Sequence, residues 1–142
     1  MDLDQDGLVE DSYIHSLDEG PTGDGHGDGI QSAILQNITI RHNTIIGRTG
    51  NLTTPGLNAT SAIITPPNGT SNTLIENNFL AGGAASIYCP ENSPVNVRVL
   101  NNTFAVRSGP LGAAFAYSDG CDSGTVWSGN YTNTGVAVGS NQ

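Results

Sequence analysis

One short pattern of apolar and polar positions returns five times: VEDSYI from Val9, IRHNTI from Ile40, IENNFL from Ile75, VLNNTF from Val99 and WSGNYT from Trp127. The fourth position of the phrase reads Ser12, Asn43, Asn78, Asn102 and Asn130, at intervals of 31, 35, 24 and 28 residues. A fixed phrase with a variable spacer is the signature of a repeat array with inserted loops. A second apolar stretch follows each phrase, at Ile30, Ile63, Ile87, Phe115 and Val136. The pattern predicts at least two strands per repeat, with room for a third in the QNITI, SNTLI and VNVRV segments that lead into the phrase. Helical periodicity is nearly absent.

Strands with inward apolar residues cannot bury them within a single coil. Stacked coils share one interior, with parallel rungs about 4.8 Å apart. The expected fold is therefore all-β: a right-handed parallel β-helix, or solenoid, of about five coils with loop insertions in the first two. It forms one domain over residues 1–142, either alone or as a module or fragment of a longer solenoid.

The phrase also predicts two columns of side chains. Asn43, Asn78, Asn102 and Asn130 fall at the same corner of successive coils, where short amides tolerate unusual backbone angles and bond to the copies above and below. They read as a structural ladder. Two positions earlier stand Glu10, Arg41, Glu76, Leu100 and Ser128, so alternation predicts an outward ladder of opposite charges at Glu10, Arg41 and Glu76. Aligning Ile87 with Phe115 puts Cys89 beside Tyr117. The Ser118-Asp119-Gly120 turn then returns the chain, and a Cys89–Cys121 disulfide is expected.

Composition narrows the function. Four Lys+Arg against 13 Asp+Glu give a net charge of −9, which opposes nucleic acid and anionic membranes and suits cations, cationic surfaces or neutral glycans. No apolar run is long enough to insert in a membrane, and MDLDQDG has neither the basic start nor the apolar middle of a signal peptide. The same segment begins like a calcium loop, with Asp2, Asp4, Asp6 and Gly7, but has Tyr13 where a bidentate acid belongs. Calcium held by these aspartates is the one cofactor the sequence suggests. No His/Cys spacing matches a zinc site. Six Asn-x-Thr sequons occur; in a glycosylating pathway Asn51, Asn58 and Asn68 are the best placed, although an Asn- and Thr-rich chain generates sequons by composition.

VEDSYIHSL, GDGHGDGIQ and NITIRHNTIIG, in this order, resemble secreted bacterial right-handed β-helix repeat proteins, the pectate-lyase-like, polysaccharide-active group. The resemblance spans Leu8 to Gly47 and implies an extracellular location and a polysaccharide partner. It does not choose among lyases, hydrolases, adhesins and binding modules, since one solenoid carries them all. GHG, Gly25 to Gly27, is also similar to the histidine motif of polygalacturonases. The paired aspartates and the Arg-x-Lys segment of that family have no counterpart here.

The segment TGDGHGDGIQ, Thr22 to Gln31, precedes the second apolar stretch of the first coil. Gly29 is expected there as a bend, in backbone angles closed to other residues. Seventeen residues separate Ser12 from Ile30 and 19 separate Asn43 from Ile63, against 8 and 12 in the next two coils. Two long loops at one corner predict a wall or shallow cleft. The corner gathers Asp18, Glu19, Asp24, His26, Asp28 and Arg48. Asp24, His26 and Asp28 are the types that act as general acid, base or cation ligand, and Arg48 suits a substrate carboxylate. Asp18, Glu19, Glu10 and Glu76 join it as candidate substrate contacts. Arg41 is the cation a lyase would set against enolate-like charge. The sequence thus supports a glycan-binding module, with a lyase-like or glycosidase-like enzyme using Asp24, His26 and Asp28 as the competing reading. A structural solenoid associating end to end is the third.

Overall fold

A computed structural model describes residues 1, 5–15, 17, 28–32, 34–47, 61–65, 69–89, 94–106, 116–121 and 124–141. Among them the structure is all β, without a helix, and so without one that is long and apolar enough to cross a membrane. The first sheet contains, in spatial order, β1 (Gln5–Glu10), β4 (Gln36–Arg41), β7 (Leu74–Glu76), β10 (Val97–Leu100) and β13 (Thr125–Ser128). The second contains β2 (Tyr13–Ile14), β5 (Thr44–Ile46), β8 (Phe79–Ala81), β11 (Thr103–Phe104) and β14 (Tyr131–Thr132). The third contains β3 (Ile30–Gln31), β6 (Ile63–Ile64), β9 (Ala85–Tyr88) and β12 (Ala116–Asp119). Every strand pairing within these sheets is parallel. The chain visits the three sheets in a fixed order, and each visit adds a strand beside the previous one.

Each sequence phrase is split by a corner. Its first two residues end a strand of the first sheet, and its last two begin a strand of the second. The residue after the first-sheet strand is Asp11, His42, Asn77, Asn101 or Gly129, with φ of 50°, 55°, 54°, 55° and 67°. Asp, Asn, His and Gly are the types that enter this left-handed region most readily. The next residue turns inward: Ser12 is half-buried, and Asn43, Asn78, Asn102 and Asn130 are buried. Asn43 donates its Nδ2 to Val9 O at 2.9 Å, while Asn78 Oδ1 accepts from both Asn43 N and Asn43 Nδ2 at 3.0 Å. Asn78 repeats the pattern with Ile40 O and Asn102, and Asn102 with Ile75 O and Asn130. Ser12 N closes the first step on Asn43 Oδ1. A second, exposed ladder runs where the chain enters the first sheet. There Asn37, Asn72 and Asn96 each donate Nδ2 to the residue one repeat earlier, starting at Asp6 Oδ1.

Between the sheets lies one interior. Val9, Ile40, Ile75 and Val99 fill it from the first sheet, Ile45, Leu80 and Phe104 from the second, and Ile30, Ile63 and Ile87 from the third. The third sheet departs from the expected register: Ile87 pairs with Ser118 rather than Phe115, and Tyr88 with Asp119. Buried Ser118 is tolerated inward because its hydroxyl donates to Gly139 O at 3.2 Å. In this register Cys89 follows Tyr88 and stands opposite residue 120, so its partner is one step away. The disulfide Cys89–Cys121 forms with Cα atoms 4.8 Å apart.

The stretch around Val136 adds no strand to the third sheet, contrary to the sequence pattern. The chain turns back instead: Thr132 N donates to Val136 O, Val138 N to Asn130 O, and Tyr131 bridges Ala137 in antiparallel sense. Val138 enters the core beside the last repeat, and Trp127 Nε1 donates to Val138 O at 2.7 Å. The reason is apolar surface: the last rung, with Phe104 and half-buried Trp127 packed behind it, is covered by its own continuation.

Candidate functional site

The acidic loop is represented by Asp28 alone, because Asp18, Glu19, Asp24, His26 and Arg48 lie outside the described residues, as do Asn51, Asn58 and Asn68. Asp28 is buried at 7% exposure. Its Oδ1 accepts from Ser61 N and Ser61 Oγ, both at 2.7 Å, while Gly29 N donates to Ser61 O. The carboxylate thus ties the first repeat to the second. Gly29 is required for space, and not for the unusual angles expected of it: a Cβ there would stand 2.6 Å from Ala62 O, and its φ is outside the left-handed region. Close strand approach at that point leaves no room for a side chain.

Glu10, Arg41 and Glu76 are register partners on the outward side of the first sheet. Arg41 Nε donates to Glu10 Oε1 at 2.6 Å. The guanidinium pKa is raised, first by that hydrogen bond and then by the charge of Glu10; desolvation opposes the rise, and the charges of Glu76 and Asp11 add lesser contributions to it. Arg41 is therefore a cation already matched by carboxylates, which leaves it little surplus charge for an anionic ligand. Asp6 accepts from Asn37, while Asp2 and Asp4 lie outside the described residues. Among the described residues no three His, Cys, Asp or Glu side chains group in a way that would hold a metal.

A third column went unread in the sequence. Tyr13, Thr44, Phe79, Thr103 and Tyr131 are successive register partners on the second sheet, pointing away from the core. Tyr13 is 64% exposed, Tyr131 is 48% exposed, and the members between are half-buried. The signal was the fifth letter of the phrase, which reads Tyr, Thr, Phe, Thr, Tyr. Only 6% of the residues are aromatic, so three in one outward column is a concentration. His15 stacks on Tyr13 with ring centroids 4.1 Å apart and fixes the orientation of that ring.

Two residues before each member of this column stands the left-handed corner residue: Asp11, His42, Asn77, Asn101 and Gly129. The first four are exposed. His42 Nδ1 lies 3.9 Å from Asp11 Oδ1. Flat apolar rings beside short amide, carboxylate, imidazole and hydroxyl groups form a surface that can stack on one face of a sugar and hydrogen-bond its hydroxyls. Compared with protein-family profiles, curated proteins and solved structures, the chain matches none significantly.

Proposed function

We propose that the protein is a right-handed parallel β-helix of about five coils, secreted, that binds polysaccharide on the outward face of its second sheet. The carrying observation is the Tyr13–Phe79–Tyr131 column with its polar border. The three sheets of parallel strands are consistent with the solenoid, and the Cys89–Cys121 disulfide is compatible with an oxidising, extracellular setting. Resemblance of the first two repeats to polysaccharide-active β-helix proteins points the same way. Binding is favoured over catalysis because Asp28 is buried and engaged by Ser61, whereas the aromatic column recurs along the stack and exposes Tyr13 and Tyr131 to solvent.

The test is retention on a panel of insoluble and gel-embedded polysaccharides, with the supernatant assayed for released sugars. Retention without products, weakened by Tyr131→Ala, is the expected result. Product release from the parent, lost on Asp28→Asn, would replace binding with catalysis.

A further inference from the structure

Granted that this face binds polysaccharide, we infer that its ligand is an uncharged, extended β-1,4-linked glycan lying along the stacking direction, with one sugar per rung across five rungs. The column runs at right angles to the strands. Its aromatic members occupy the first, third and fifth rungs, with Thr44 and Thr103 between. At about 4.8 Å per rung, Tyr13, Phe79 and Tyr131 are separated by about 9.6 Å steps. A β-1,4-linked ribbon flips each sugar relative to the last, so the same face returns every second residue, at close to this length. First, third and fifth sugars then stack on rings, while the second and fourth meet the smaller threonines and their hydroxyls. An α-1,4-linked glucan coils and loses this register within a few units.

Charge selects among extended glycans. The chain carries −9, and among the described residues the acids that border the column in the phrase are Asp11, two residues before Tyr13, and Glu10 and Glu76, three before Tyr13 and Phe79, with Glu10 already holding Arg41. A uronate polymer would bring like charge to that border, and a neutral ribbon would not. Exposed Asn77 and Asn101 offer both donors and acceptors, which suits hydroxyls better than carboxylates.

Calorimetric titration with β-1,4-gluco- and manno-oligosaccharides from disaccharide to hexasaccharide tests this. Affinity should climb to the pentasaccharide and flatten at the hexasaccharide in at least one series. Tyr131→Ala should weaken pentasaccharide binding about tenfold and move the plateau to the trisaccharide, which Tyr13 and Phe79 still span. Tyr131→Phe should restore the parent profile. The melting temperature of each variant separates lost stacking from lost fold, and Tyr13→Ala supplies the same shift from the opposite end. A parent that binds α-1,4-gluco-oligosaccharides or polygalacturonate as well as the β-linked series, or that shows no length step, would overturn this ligand and leave polysaccharide binding standing. A parent that is retained by no polysaccharide would overturn both.

Discussion

At the scale of single residues, Asn102 carries four polar contacts at one corner. Its Oδ1 accepts from Asn78 N and Asn78 Nδ2, and its Nδ2 donates to Ile75 O and Asn130 Oδ1. Asn102→Ala leaves several of these groups buried without a partner, at about 1–3 kcal/mol each before relaxation. Asn96→Ala, in the exposed ladder, loses one solvent-accessible bond and the tolerance of Asn for its φ of 54°, at about 1 kcal/mol. Urea unfolding should therefore rank the first variant as clearly the more damaging. Tyr88 gives a pH signature. Burial raises its phenol pKa above the ordinary value of 10.0, and the charges of Asp119 and Asp28 add to this. The folded state holds that proton more tightly than the unfolded chain does, so this contribution is intact below about pH 10 and lost as pH rises through the raised value. Tyr88→Phe should flatten the fall in stability above pH 10 and leave neutral-pH stability nearly unchanged, as melting curves across the alkaline range would show.

At the scale of elements, the disulfide and the fold-back secure the final repeats. Cys89 and Cys121 are 32 residues apart, a loop whose closure contributes about 3–4 kcal/mol in the chain-entropy picture. The double variant Cys89→Ser with Cys121→Ser should lose stability of that order in urea, and the parent should lose as much when reduced. Val138 and Trp127 close the last rung in a different way, by apolar burial and the indole bond to Val138 O. Val138→Asp places a charge against this core and should lower the melting temperature by far more than Val136→Asp, two residues away and 63% exposed. Equal effects would show that the fold-back does not seal the core.

At the scale of the whole molecule, stability is carried from each repeat to its neighbours through one shared interior, and the proposed binding surface is one side of the stacked strands. The strong negative charge is spread over a chain whose proposed contacts are stacking and hydrogen bonds. Glycan affinity should accordingly change little between about 50 mM and 500 mM salt, where long-range electrostatics are screened. A steep salt dependence in calorimetry would place the ligand's contacts on charged groups such as Arg41 and Arg98 instead.

The five-fold phrase by itself determined where repeats begin, that they are β, which asparagines share a corner and which charges alternate outward, since each follows from residue type recurring in phase. It also held the aromatic column in its fifth letter, legible once that position is known to face away from the core. Register in the third sheet was not legible. Ile87 and Phe115 look equivalent as apolar residues, but pairing is fixed by Cys89 N bonding Asp119 O and by the covering of Ser118, contacts between segments distant in sequence. Gly29 shows the same division. Its type was readable and its cause was not, because only the packed structure brings Ala62 O to the place a side chain would need. Val136 and Asp28 likewise take their roles from what lies against them: an apolar last rung needing cover, and a serine one repeat away that makes a carboxylate into a tie between strands. Local pattern specifies elements and faces, whereas closure, register and burial are set by contacts that exist only after the chain has stacked on itself.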